Sequence, residues 1–200
     1  MPSKKVVRCA RCINECREMI ASRLTECFQA DVLELMAPYN ELIICSNGFS
    51  EVYLVSDKLL DVYLKLASKG RYPYCIGIYA GRLSKGILIP STMLADKVFK
   101  KLGTYVNSVE VSDTGLKPFL YGKDVLKASV TRTYPRLIKG RYAFVVGRDG
   151  YVYGLGISVV DEGELPYLRP NDVVIKNVFD AGWYLRGGTT PREKKYKLWE

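Results

Sequence analysis

Cys9, Cys12 and Cys16 fall in the stretch CARCINEC at the spacing C-x-x-C-x-x-x-C, which could offer three thiolates to zinc or to an iron–sulfur cluster. A fourth ligand would have to come from Cys27, Cys45 or Cys75, and none of these forms a second C-x-x-C pair. The same stretch also reads as a periodicity. Cys9, Cys12, Cys16, Ile20, Leu24 and Cys27 step by three or four residues, the stripe of one helix face. Free cysteine buries readily as a small hydrophobe, so helix-core packing is the expectation and a metal or redox site the alternative. A disulfide framework is not expected at this chain length without a secretion signal.

Histidine is absent, which removes the usual general base near neutral pH and excludes serine–histidine and cysteine–histidine catalysis. Carboxylate or lysine chemistry stays open but has no recognisable motif. What the chain has in excess is positive charge: 30 Lys and Arg against 21 Asp and Glu, a net +9 and a pI near 9.2. That balance favours a polyanionic partner. The excess is spread, +5 over residues 1–105 and +4 over 106–200.

Several cations have neighbours suited to nucleic acid. Lys123 and Lys127 flank Val125–Leu126 in PFLYGKDVLKASV, while Arg132, Arg136, Lys139 and Arg141 punctuate TRTYPRLIKGR. Lys176 lies inside NDVVIKNV, and Arg186 follows Trp183 and Tyr184 in GWYLRGG, ahead of Arg192, Lys194, Lys195 and Lys197. Such cations neutralise phosphates, and aromatic faces stack on unpaired bases. Each has a plainer reading. A charge run in a loop is usually only solvated. Lys176 could equally protect a sheet edge, and Arg186 could be a solvated strand end. Trp183 and Tyr184 alternate faces, so one of them belongs to a core.

The elements that must position these residues follow from pattern. A chain of 200 residues, 48% hydrophobic, suits one large or two small domains. No run approaches eighteen apolar residues and the start lacks a signal peptide's apolar core, so a soluble chain with no membrane partner is expected. Residues 1–104 read as helix (from about Val7 to Phe28), three strands, helix, two strands, helix. DVLELMAP is the first of those strands. ELIICSNGFSEVYLVS is a hairpin turning at Asn47–Gly48. Ser56 caps a helix with Leu59, Val62, Tyr63 and Leu66 on one face, ended by Gly70. A strand pair turns near Ser84–Gly86, and Ser91 caps a helix closed by Gly103. This is an α+β domain around an antiparallel sheet with three helices. Residues 105–188 carry short strands with glycine-rich turns, among them a hairpin at Asp149–Gly150 and a final strand GWYLRGG. They predict a small, mostly β barrel. Residues 189–200 form a basic tail expected to be mobile until bound.

The segments VEVSDTGLKPFLYGKDVLKASV, KGRYAFVVGRDGYVYGLGIS and PNDVVIKNVFDAGWYLR resemble a PUA domain, a small RNA-binding pseudo-barrel. With YLVSDKLLDVYLKLASKG and GRLSKGILIPSTML ahead of them, roughly residues 8–188 resemble the Nip-seven family of large-subunit ribosome-biogenesis factors, in an archaeal version with a basic tail. The resemblance implies a turn and short helix after the first PUA strand, with Phe119, Leu120, Val125 and Leu126 as core anchors. Gly122 then permits a tight turn, and Lys123 and Lys127 stay at the helix surface. It also implies RNA contacts from that helix, the following strand and the last strand, and from Arg186; Gly187 stands where the family carries a second basic residue. The expected partners are precursor ribosomal RNA, uridine- or AU-rich single strands, and ribosome-assembly or exosome-type proteins docking on the first domain. No cofactor is implied. The expected location is cytoplasmic, or nucleolar or nuclear in a eukaryote. The expected role is a non-catalytic RNA-binding factor. The alternatives are an RNA-modifying enzyme or accessory subunit acting on transfer or ribosomal RNA, and a metal- or redox-active protein using the N-terminal cysteines.

Overall fold

The apolar run Leu42-Ile43-Ile44-Cys45 needs cover on two sides, because successive strand residues point to opposite faces. The computed structural model, which describes residues 8–46, 50–71, 73, 76–183 and 186, supplies that cover. The chain divides into two units, Met1–Gly103 and Thr104–Glu200. In the first, β1 (Arg8–Arg11), β2 (Glu41–Ser46), β3 (Ser50–Val55), β4 (Ile78–Ser84) and β5 (Ile87–Pro90) form an antiparallel sheet in sequence order. Ile43, Cys45, Tyr53 and Val55 pack with Leu60 and Tyr63 of α3 (Asp57–Ala67). Leu42, Val52 and Leu54, at the alternate positions, are equally buried. Against β4 and β5 pack α4 (Thr92–Leu102) and α1 (Glu15–Phe28), joined by an edge-on Phe28–Phe99 contact at 5.7 Å.

Local signals set the helix ends as read. The Ser56 and Ser91 hydroxyls accept from the Leu59 and Leu94 amides at 3.4 and 3.0 Å. Gly103 closes α4 at φ 69°, and the β4–β5 turn passes through Lys85 and Gly86, both at positive φ. The Asn47–Gly48 turn lies outside the described residues.

In the first unit several expectations are corrected. The first helix does not run from Val7, because residues 8–11 are β1 and Asn14 takes a positive φ of 50° just before α1 begins. The cysteine stripe was a coincidence of spacing in its first half. The β1–β2 register sets Cys9 opposite Cys45, and those two form a disulfide, as do Cys12 and Cys16. Only Ile20, Leu24 and Cys27 occupy the buried helix face as the period requires. Second, DVLELMAP supplies a short helix, α2 (Val32–Leu35), because the Asp31 carboxylate accepts from the Leu33 and Glu34 amides, each at 3.0 Å. Third, α3 turns Leu60 and Tyr63 inward and leaves Val62 exposed, since the sheet meets it one residue round from the expected face.

The second unit contains β6 (Ser108–Val111), α5 (Asp113–Leu120), β7 (Val125–Leu126), β8 (Val130–Tyr134), β9 (Tyr142–Gly147), β10 (Val152–Ser158) and β11 (Val173–Asp180). They make one sheet in the order β7-β11-β10-β9-β6-β8, antiparallel except for the parallel pair β6–β9. The sheet curls around Val109, Phe119, Val125, Val145 and Ile175, the mostly β pseudo-barrel expected after an α+β unit. The β9–β10 hairpin turns at Asp149–Gly150, with Gly150 at φ 83°. TRTY, expected as loop, is β8. Residues 181–183, expected to open a final strand, form a 3-10 turn instead.

Alkylation of denatured but unreduced protein, read by mass spectrometry, should label Cys27 and spare Cys9, Cys12, Cys16 and Cys45; a labelled Cys9 or Cys45 would contradict the pairing. Because Cys9–Cys45 closes 36 residues, its reduction should destabilise the first unit by about 4 kcal/mol in urea unfolding.

Candidate nucleic-acid interface

The side chain of Asn177, on β11, is where the second unit ties its first helix to its last strand. Its Nδ2 donates to the Phe119 carbonyl at 3.0 Å, the Lys123 carbonyl at 3.2 Å and Asp180 Oδ2 at 3.3 Å. Its backbone amide donates to Asp124 Oδ1 at 2.9 Å. These bonds hold the end of α5 and the turn after it against β11. Phe119 supplies the apolar half of the joint, fully buried beside Val125. Gly122 takes φ 83° in the turn, where a side chain would be strained.

The lysines around this joint are not on one helix, as expected, because Val125–Leu126 is strand β7, paired with β11. Lys123 stands exposed in the turn. Lys127 opens a 3-10 turn and is half-buried, its amide bonded to the Asp172 carbonyl at 2.8 Å. Lys176 is half-buried on β11, adjacent in sequence to Asn177. Lys117, not singled out from sequence, is exposed on α5. The α5–β7–β11 region therefore carries exposed Lys117 and Lys123 at the braced turn, with Lys127 after β7 and Lys176 on β11.

A second group follows β8. Arg132 lies over the Tyr134 ring at 4.9 Å. It pairs in register with Glu110, which accepts from Thr131 Oγ1 at 2.8 Å and Tyr134 Oη at 3.1 Å. Burial first, then Glu110, holds the Tyr134 hydroxyl above its ordinary value of 10.0. Raised in the fold, it contributes stability below about pH 10 that is lost as pH climbs through the folded value. Arg136, Lys139 and Arg141 are exposed. Their segment is bound along an acidic turn: Asp161 Oδ1 accepts from the Lys139 amide at 2.9 Å, and the Glu162 amide donates to Leu137 at 3.0 Å. With Asp161, Glu162 and Glu164 alongside, this run is the less favourable ground for a phosphate chain.

Arg186 is engaged by protein. Its Nη1 and Nη2 donate to Asp180 Oδ1 and Oδ2 at 2.8 and 3.0 Å, a bidentate pair to a carboxylate of 0% exposure. The guanidinium expected at a strand end instead pairs back onto the end of β11. Gly182 makes the approach possible, since a Cβ there would collide with the Leu120 carbonyl. Tyr184 and Arg192 lie outside the described residues. Sequence reading passed over Asn177 and Asp180, the first inside NDVVIKNV and the second just beyond it, with no motif to mark either. As for the cysteines, Cys9, Cys12, Cys16 and Cys45 are disulfide-bonded, and among the described residues no group of three or more potential metal ligands comes together.

Replacing Arg186 with alanine leaves the Asp180 carboxylate buried without its cation and should cost about 3 kcal/mol in the unfolding of the second unit. A loss under about 0.5 kcal/mol would show that the pair is not structural.

The geometry can now be set beside known proteins. The family profile described as "UPF0113 PUA domain" matches residues 107–189. A UPF0113 protein of Aeropyrum pernix is 30% identical over 115 residues, 58% of this chain and 59% of its own length, so the chain spans less than two thirds of that relative. A UPF0113 protein of Archaeoglobus fulgidus is 30% identical over 145 residues, 72% of this chain and 78% of its own. The Schizosaccharomyces pombe 60S ribosome subunit biogenesis protein nip7 is 27% identical over 139 residues, 70% and 75% of the two chains. In fold, a hypothetical protein of Pyrococcus horikoshii matches at TM-score 0.62 and 13% identity, over 89% of this chain and 99% of that one. A conserved PUA domain protein of Thermoplasma acidophilum matches at TM-score 0.56 and 17% identity, over 92% and 100%. An α+β unit with an antiparallel sheet, a PUA pseudo-barrel after it and these archaeal relatives agree: the chain belongs to the UPF0113 protein family.

Proposed function

We propose that the protein is a non-catalytic RNA-binding factor of large-subunit ribosome biogenesis, holding single-stranded precursor ribosomal RNA on the α5–β7–β11 region of its PUA unit. The observation that carries this reading is exposed Lys117 and Lys123 at the turn that Asn177 braces, with Lys127 and Lys176 on the adjoining elements of the same region. Cations on a braced backbone meet phosphates with little further ordering, and each phosphate neutralised releases counterions. The family match and the name of the fission-yeast relative support the biological setting. The chain has no histidine, and no motif of an RNA-modifying enzyme stands among its residues. Residues 105–188 carry the RNA contacts in this reading, with the basic tail from 189 adding non-specific attraction. Residues 1–104 dock on assembly or exosome-type proteins. Exposed Val62 and Leu64 on α3 and Met93 on α4 are apolar residues such a partner would cover. Among the described residues no helix is long and apolar enough to cross a membrane.

Binding of a uridine-rich single strand, followed by fluorescence anisotropy across a salt series, should show a log–log slope of about −3 for roughly four phosphates. Lys123→Ala and Lys127→Ala should each weaken binding and flatten that slope by about 0.7. Arg132→Ala should leave the slope unchanged. A slope lost with Arg132 and kept without the two lysines would move the interface to β8. Conversion of uridine or guanine in a transfer RNA transcript would overturn the non-catalytic role.

A further inference from the structure

The run Phe119-Leu120-Tyr121 splits in the fold. Phe119 is sealed in the core, whereas Tyr121 is 73% exposed. An exposed aromatic needs no explanation by itself; the backbone beneath this one does. The Tyr121 amide donates to the Lys117 and Pro118 carbonyls at 3.2 and 3.0 Å, and the Gly122 and Lys123 amides donate to Phe119 and Pro118 at 2.8 and 3.1 Å. Asn177 then clamps the carbonyls on either side of the tyrosine, those of Phe119 and Lys123. A large flat ring is thus held out from a turn that is tied at both ends.

Its charged neighbours point the same way. Lys117 precedes Tyr121 by four residues across α5 and its cap, the spacing that sets side chains on one helix face. Lys123 follows by two, and both lysines are exposed. The turn carries one acid, Asp124, whose Oδ1 accepts from the Asn177 amide, and the two exposed lysines outnumber it. Among the described residues, the unit's other strongly exposed tyrosines, Tyr151 and Tyr167, lie beside acids. Tyr167 ends the 3-10 turn that carries Glu162 and Glu164, and Tyr151 follows Asp149, whose Oδ1 accepts its amide at 3.3 Å. Acids beside those rings would repel a phosphate chain.

We infer that Tyr121 is a stacking subsite for one unpaired base of single-stranded RNA, with Lys117 and Lys123 meeting the flanking phosphates. This rests on the RNA-binding reading above and adds a base contact to it. An aromatic face accepts any base, so the subsite selects unpaired over paired nucleotides rather than sequence. A tyrosine on a braced turn loses little freedom on binding, which suits it to the role.

The test is anisotropy binding of three ligands by the full chain: a uridine-rich single strand, the same strand annealed into a duplex, and an abasic backbone of equal length. Tyr121→Ala should bind the single strand about tenfold more weakly than wild type, with an unchanged salt slope, while Tyr121→Phe stays within about twofold. Wild type and Tyr121→Ala should bind the duplex alike and the abasic backbone alike, because neither offers an unpaired base. The melting temperature should not move, since the ring is not in the core. If wild type binds with its salt dependence and Tyr121→Ala binds the single strand equally well, the subsite is wrong and the RNA reading stands. A slope that flattens in Tyr121→Ala would mean the residue only positions lysines, which also overturns the subsite. No binding by wild type at low salt would overturn both.

Discussion

A buried polar node on β11 is the constraint on which the second unit depends. Asn177 and Asp180 sit three residues apart, the carboxylate fully buried, in a strand that also carries Val173, Val174, Ile175, Lys176, Val178 and Phe179. A bare carboxylate there would be prohibitively costly, so the chain must bring it a cation. Arg186 is that cation, and its pairing with Asp180 fixes where the chain returns after β11. Asn177 extends the node the other way, bonding to Asp180 and to the carbonyls at the end of α5 and in the turn beyond it. Helix end, turn and C-terminal return are therefore positioned by one connected set of hydrogen bonds. The Nδ2 bonds set this arrangement, since a slip would strip the Phe119 and Lys123 carbonyls of their donor, while Asn177 Oδ1 takes no hydrogen-bond partner among the described residues.

The basic surface follows from that bracing. The apolar anchors Phe119 and Val125 satisfy the hydrophobic requirement on the inner side of the joint, which frees the outward positions of the same short segment for lysine and tyrosine. Core and ligand-facing chemistry thus alternate within thirteen residues, from Pro118 to Val130, because the turn separates them in space. The contrast with the β8 side is electrostatic. Arg132 shares its register with Glu110, and the segment after β8 is stitched to an acidic turn, so charge there is largely balanced within the protein.

What the sequence made legible was whatever is decided locally. Ser56 and Ser91 as caps, Gly103 as a helix stop and Asp149–Gly150 as a turn depend on a few neighbouring residues, and they stand as read. The alternation of the strands was legible for the same reason. Features that depend on pairing between distant segments were hidden. Cys9, Cys12 and Cys16 match a helical period by accident, and only the register of β1 on β2 reveals that Cys9 faces Cys45. Arg186 looked like a surface ligand because its partner, six residues earlier, lies between the strands NDVVIKNV and GWYLRGG as read from sequence and carries no local signal. Lys117 was missed because its relation to Tyr121 shows only once the α5 end is known. The resemblance located the PUA unit, but contacts within the unit decide which cation is held by protein, as Arg186 is by Asp180.

The central claim is that RNA lies on the α5–β7–β11 region and not on the β8 side. The most direct measurement is an amide-resolved NMR titration of the full chain with a short uridine-rich single strand at low salt. Shift changes concentrated at residues 117–127 and 176–177, with residues 132–141 little moved, are the result this account predicts. Changes centred on residues 132–141, or confined to residues 8–103, would contradict it.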